Sequence, residues 1–173
     1  MEKVEKRLSV EEFLEMAARP EYAGQRLELI DGEVFKSAAF LDHGEIAATA
    51  LGFLFMHVRE HRIGRVIGAE TGIQVDDETM IAPDGGFYSY ERAPRRLPAS
   101  YQFVTAPDLV FEVVSRSNTA YEIQAKLDKY FAKGTRMVWI IYPSVRQVVV
   151  HTQNVAGNPV SAMVCALLFL KPM

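Results

Sequence analysis

Residues 109–114 read Leu109-Val110-Phe111-Glu112-Val113-Val114, and this run decides the fold class. A continuous apolar stretch rich in valine predicts a strand covered on both faces, at the centre of a sheet. Glu112 interrupts it. A lone buried carboxylate costs several kcal/mol or stays protonated, so a cation or metal is expected to face it. Strand alternation places Val110, Glu112 and Val114 on one face. Downstream, Ser117 or Asn118 is expected to cap a helix whose inner stripe is Ile123, Leu127, Tyr130 and Phe131, and Gly134 closes it. Met137 to Ile141 predicts a second buried strand, and Val148 to His151 an edge strand.

Upstream, Ser9 and Glu12 form a capping box that opens a short helix through Phe13, Leu14 and Met16, ended by Pro20 and Gly24. Arg26 to Ile30 and Glu33 to Lys36 predict a hairpin around Asp31-Gly32. Asp42 is expected to cap a long helix from His43 to His61, with Ile46, Ala50, Leu54 and Val58 at i, i+4 spacing and Gly64 as its stop. Strands are expected at Arg65 to Ala69, Gly72 to Val75 and Met80 to Ala82, and a surface loop at Glu91 to Ser100. The order of helix, hairpin, helix, strands, helix and strands predicts a mixed α/β fold with two long helices flanking one sheet.

With 173 residues, 49% of them hydrophobic, the chain is read as one domain spanning residues 1–173 and not as a disordered segment. Nineteen Lys and Arg against 22 Asp and Glu give a net charge of -3, so any nucleic-acid contact must come from a local patch. A single cysteine, Cys165, excludes an intramolecular disulfide and a clustered-thiolate zinc site, and fits a reducing, cytoplasmic setting. The longest apolar run, Ala162 to Leu170, is too short for a membrane helix, which takes ~20 residues. It is read as a strand or short helix packed on the body, with an exposed tail or an association surface as alternatives.

The chemistry centres on carboxylates. Asp84 follows Pro83 in Ala82-Pro83-Asp84-Gly85-Gly86-Phe87, where a strand ends or bends. Asp84 and Glu112 on neighbouring strands, completed by a carbonyl and water, would make an oxygen-rich site of the kind magnesium or manganese prefers. Lys126 borders the inward stripe of the helix after Glu112 and could reach over the strand ends. It could equally pair with Glu122 on a solvated face.

These residues resemble the PD-(D/E)XK nuclease superfamily, and within it the Uma-type putative restriction endonucleases. The carriers are residues 27–33 (LELIDGE), His43-Gly44, Ala82-Pro83-Asp84, residues 108–118 (DLVFEVVSRSN), Lys126 to Tyr130, and residues 138–143 (VWIIYP). They run in family order across about residues 8–151, with a divergent tail at 152–173. The resemblance implies a restriction-endonuclease-like mixed sheet flanked by helices, with an N-terminal helix and hairpin. It implies Asp84 and Glu112 as ligands of Mg2+ or Mn2+, Lys126 as the lysine supplied from the helix in place of Val114, and Glu28 as a further acid. The implied activity is metal-assisted hydrolysis of phosphodiester bonds, with DNA as the partner and a homodimer as a possible assembly. Departures include Gly85-Gly86 after Pro-Asp and Tyr142-Pro143 after the Trp strand.

Two other readings stay open. A catalytically inactive nuclease-fold module could bind DNA or protein. His57, Glu60 and His61 match H-x-x-E-H, an inverted zinc-peptidase signature, although a helix's last turn favours such residues anyway. His43 is either a structural histidine or one that lines the site. Trp139 is expected in the core, His151 on a surface strand and Cys165 among apolar neighbours. Arg92, Arg95 and Arg96 either meet phosphates or simply solvate a loop.

Overall fold

The computed structural model describes residues 7–37, 41–69, 71–96, 106–115, 118–153 and 159–164. Helix α1 (Val10–Ala17) opens on the expected capping box, with the Ser9 side chain accepting from the Glu12 amide and Glu12 reaching back to the Ser9 amide. The strands β1 (Arg26–Ile30) and β2 (Glu33–Ser37) form the expected hairpin. Asp31 and Gly32 both take positive φ, which matches the right-handed twist of the paired strands. Helix α2 (Leu41–His61) carries Asp42 inside its first turn rather than at its cap. Its far end is closed by Arg62 at φ 54°, because Gly64 already belongs to β3 (Gly64–Gly68).

The strands β4 (Ile73–Asp76) and β5 (Thr79–Ile81) complete a four-stranded sheet in the order β2-β1-β5-β4. A six-stranded sheet runs β10-β9-β8-β7-β6-β3. It comprises β6 (Gly85–Ser89), β7 (Leu109–Val113), β8 (Met137–Tyr142), β9 (Gln147–Gln153) and β10 (Pro159–Val164) alongside β3. The apolar run therefore lies well inside its sheet, as its composition predicts. β7 and β8 are parallel and joined by α3 (Ala120–Lys133), whereas the other neighbours in that sheet are antiparallel.

Several expectations change. The described strands form two sheets, not one, because the hairpin pairs with β5 through Leu29 and Met80 instead of joining β7. β6 goes unannounced in the sequence, since Gly85-Gly86 shows no side-chain alternation. β9 is not an edge: β10 pairs along it from Gln153 to Val148. The cap of α3 is Thr119, whose hydroxyl accepts from the Glu122 amide while the Glu122 carboxylate accepts from the Thr119 amide. Asn118 instead takes hydrogen bonds from the Ser115 amide and hydroxyl, and Ser117 lies outside the described residues. So do Cys165 and the rest of the apolar run beyond Val164.

Alternation along β7 and β8 divides the core. Phe111, Val113 and Ile141 face α2, where Ala50 is buried with Ile46, Leu51 and Leu54 packed around. Trp139 packs there too, as expected of a core residue. Val110, Val138 and Ile140 face the other way, toward Leu127, Tyr130 and Phe131 of α3 and toward Ile73, Val75 and Ile81 of the smaller sheet. Glu112 points to that second side. Ala82 and Pro83 carry the chain from the small sheet to the large one, so Asp84 stands at the crossing.

Gly85 explains the departure after Pro-Asp. A Cβ there would lie 2.5 Å from two atoms of the fully buried Phe111 ring and 2.9 Å from a Leu51 methyl. Gly85→Ala is expected to destabilise the protein by about 1–3 kcal/mol, the usual cost of overpacking a closed core. Chemical denaturation of both proteins measures this.

Candidate active site

Four ionisable side chains far apart in sequence are buried together: Glu28 (4% exposed), Asp84 (3%), Glu112 (5%) and Lys126 (8%). All four line one cavity of about 80 Å³, with Arg26, His43 and the exposed Lys36 also in its wall. The lysine of α3 does not lie on a solvated face with Glu122. Its Nζ donates to Glu28 at 2.8 Å and to Glu112 at 3.2 Å, while Glu122 serves the helix cap. Glu28 is buried although it lies on a hairpin strand. Its carboxylate also accepts the Ala82 amide at 2.9 Å, which ties the small sheet to the chain just before Asp84.

Asp84 is held on three sides. Oδ1 accepts from Arg26 at 2.8 Å and meets His43 Nε2 at 3.2 Å, and Oδ2 accepts the Val113 amide at 2.8 Å. Arg26 also donates to the Ala82 carbonyl at 2.6 Å. Burial alone would raise the Asp84 pKa, but the His43 and Val113 hydrogen bonds and the Arg26 charge outweigh it and hold the carboxyl below its ordinary value. His43 responds in kind. Its bond to Asp84, opposed by burial, raises its pKa. His43 thus lines the cavity and is also held by a structural bond to Asp84.

Glu112 accepts from the Tyr130 hydroxyl at 2.6 Å as well as from Lys126. Its pKa is nevertheless pushed up from 4.5 to about 7. Burial is the main cause, and the charges of Asp84 and Glu28 add to it against the opposing pull of Lys126 and Tyr130. The ammonium of Lys126 is disfavoured by burial, yet Glu112 and Glu28 raise its pKa overall, so it stays charged.

The sign of the Glu112 effect follows from linkage. Between pH 4.5 and about 7 the folded state keeps a proton that the unfolded chain has released, so this residue makes stability fall as pH rises through that window. In metal-free buffer, the carboxyl carbon of Glu112 is expected to titrate near pH 7 by NMR. Glu112→Gln should remove that part of the stability slope.

The charge sum tests whether a metal fits. Asp84, Glu112 and Glu28 confront Arg26 and Lys126, with His43 able to add a proton. Asp84 and Glu28 add their repulsion to burial in raising the Glu112 pKa, so a cation beside Glu112 would favour its ionised form. Two ionised carboxylates are hard oxygen donors suited to a hard divalent cation. A cavity of about 80 Å³ exceeds the ~10–15 Å³ that one water needs. Among the described residues no group of three or more His, Cys, Asp or Glu converges on a metal position. Asp84 and Glu112 would hold the ion, with backbone and water completing its shell.

Other candidates lie elsewhere. His57, Glu60 and His61 are exposed at the end of α2, where the His61 ring meets the His57 carbonyl at 2.9 Å. They find no third ligand among the described residues. Arg92 belongs to the scaffold: its guanidinium donates to the carbonyls of Ala106 and Gly134 and pairs with Asp108. Arg96 is exposed. His151 is half-buried on β9 and meets the Ser161 hydroxyl at 2.8 Å. No helix among the described residues is long and apolar enough to cross a membrane.

The sequence reading missed Arg26, Lys36 and Tyr130. Signals existed for two of them. Arg26 is two residues before Glu28 and so shares its strand face, and Tyr130 is four residues after Lys126 on one helix stripe.

Residues 10–164 match the family model described as Uma2, putative restriction endonuclease. No curated protein matches the sequence. The crystal structure of a putative nuclease belonging to DUF820 from Anabaena variabilis ATCC 29413, at 1.96 Å resolution, is similar in fold, with a TM-score of 0.74. It is 20% identical, over 90% of this chain and 83% of that one.

Proposed function

This chain belongs to the Uma2 family of putative restriction endonucleases, and from that premise we propose that it is a divalent-metal-dependent endonuclease acting on phosphodiester bonds in DNA. The observation that carries the reading is the meeting of Asp84, Glu112 and Lys126 in one cavity. Asp84 and Glu112 would hold a divalent cation, which when bound would supply Lewis-acid polarisation of a phosphoryl oxygen and a lower pKa for attacking water. Arg26 and His43 keep Asp84 ionised and fixed. Glu28 and Glu112 hold Lys126 charged and aimed into the cavity, where its ammonium stabilises negative charge gathering on the phosphoryl group. Tyr130 fixes the rotamer of Glu112. Lys36, exposed on the cavity wall, would meet a neighbouring phosphate.

One observation favours a second reading, that of a non-catalytic DNA-binding module. Asp84 is already satisfied by Arg26, His43 and the Val113 amide without any metal. A single assay separates the two. Supercoiled plasmid incubated with Mg2+ or Mn2+ should be nicked or linearised, and EDTA should stop it. Plasmid binding with no cleavage in either cation, and no metal uptake by calorimetry, would select the module.

A further inference from the structure

At the far end of α2 from His43 lies a second cleft, of about 550 Å³, lined by Phe55, Val58, Gly64, Val66, Tyr90 and four arginines, Arg59, Arg62, Arg65 and Arg95. Among the described residues no carboxylate lines it. In a protein of net charge -3, four of its 19 basic side chains converge on one concavity. We propose that this cleft is a second phosphate-binding site, which seats successive phosphates of a nucleic-acid strand away from the carboxylate cavity.

The guanidinium array is built rather than scattered. Arg65 donates to the Pro94 carbonyl at 3.0 and 3.2 Å, and also to the Arg95 carbonyl, so β3 holds the turn that carries Arg95. Arg95 lies over the Tyr90 ring at 4.1 Å and reaches the Arg62 carbonyl at 3.5 Å. Arg59 sits over Phe55 at 5.9 Å. Cation–π contact holds these guanidinium groups beside rings, and arginine's remaining N–H donors suit the oxygens of a phosphate.

The blander account is that basic residues complement the negative end of α2. That end carries roughly half an elementary charge, far less than four guanidinium groups. Glu60 and Glu91 are the nearest acids in sequence, and Glu91 faces Arg136 at 3.9 Å. The positive charge of the cleft is therefore in excess.

Sixteen residues of helix separate His43 from Arg59, about 24 Å at ~1.5 Å per residue. At the duplex rise of ~3.4 Å per nucleotide a strand covers that span with ~7 nucleotides, and an extended single strand covers it with fewer. This inference rests on the nuclease reading for the identity of its ligand. Its measurement does not, because binding is read without divalent cations and needs no cleavage.

The experiment is fluorescence anisotropy of a labelled single-stranded oligonucleotide, longer than that span, in EDTA. Wild type is compared with Arg59→Gln and with Arg59→Gln/Arg62→Asn. Asparagine tolerates the positive φ at position 62, and thermal melts check the fold of both variants. The double variant should bind at least tenfold more weakly. Its slope of log affinity against log salt should be shallower by about 1.4, at ~0.7 per lost phosphate contact on a single strand. Arg59→Gln alone should lose about half of that slope. Equal affinity and slope in all three proteins would overturn the proposal. Tripolyphosphate distinguishes the source of the phosphates. If it binds wild type and not the double variant, while oligonucleotide affinity is the same in both, the cleft serves a free polyphosphate and strand docking is wrong. Loss of plasmid cleavage would leave all of these outcomes readable.

Discussion

Lys126→Met is expected to lower stability by about 3 kcal/mol and to cut metal-dependent DNA cleavage by roughly 10²–10³-fold. The stability term arises because Lys126 is the shared partner of two buried carboxylates, Glu28 and Glu112. Breaking a buried ion pair by removing one partner costs about 3–5 kcal/mol, since the other charge stays uncompensated. The lower end applies here. Glu112 already sits near pH 7 in its titration, so on losing the lysine it takes up a proton instead of remaining a naked anion. Tyr130 then still has a carboxyl group to bond. Methionine fills the space of the lysine stem, so little cavity cost is added. A double variant, Lys126→Met with Glu112→Gln, should recover part of the lost stability and none of the activity. Urea denaturation and plasmid nicking measured on the same preparations test both statements. Full cleavage by a folded Lys126→Met protein would remove the lysine from the chemistry.

The sequence announced this site unevenly, and the reasons are physical. Glu112 was legible because a charge inside an apolar strand violates burial energetics and demands a partner. Lys126 was ambiguous because helical spacing alone fits both an inward and a solvated lysine. Only the position of Glu28, on another sheet, decides between them. Asp84 could be placed at a strand end but not aimed, since its orientation depends on the Val113 amide and on Arg26 across 58 residues of chain. The two long helices and the buried strand run followed from periodicity. The division into two sheets did not, because strand partnering is a long-range choice that hairpin chemistry does not fix. β6 was hidden for a related reason: its glycines serve the Phe111 ring and so lack the side chains from which a strand is read. The arginine cleft was invisible as well. Its members come from the end of α2, β3 and the turn after β6, and only Arg95 stood out in the sequence.

Asp84→Asn tests the other half of the cavity, and here the loss of function should exceed the loss of fold. Asparagine keeps the size of the side chain and an oxygen for the Val113 amide. It gives up the charge that holds Arg26 and His43. Activity should fall by at least 10²–10³-fold, the range for deleting one preorganised electrostatic group. Mn2+ affinity measured by calorimetry should drop by more than the 10–100-fold typical of removing a mere supporting partner. The effect on stability depends on pH with a defined sign. A carboxyl whose pKa is lowered by folding contributes stability above its unfolded value, near 3.8, and loses that contribution as pH falls through its folded value. The gap between wild type and variant should therefore be widest near neutral pH and shrink below pH 3.8. The neighbours report the same change. With the Asp84 charge gone, Glu112 loses one source of repulsion and its pKa should move down from about 7, while His43 should lose its upward shift. NMR titration of both residues reads these shifts directly. If neither moved while cleavage vanished, the charge coupling inferred for this cavity would be wrong even though the residue mattered.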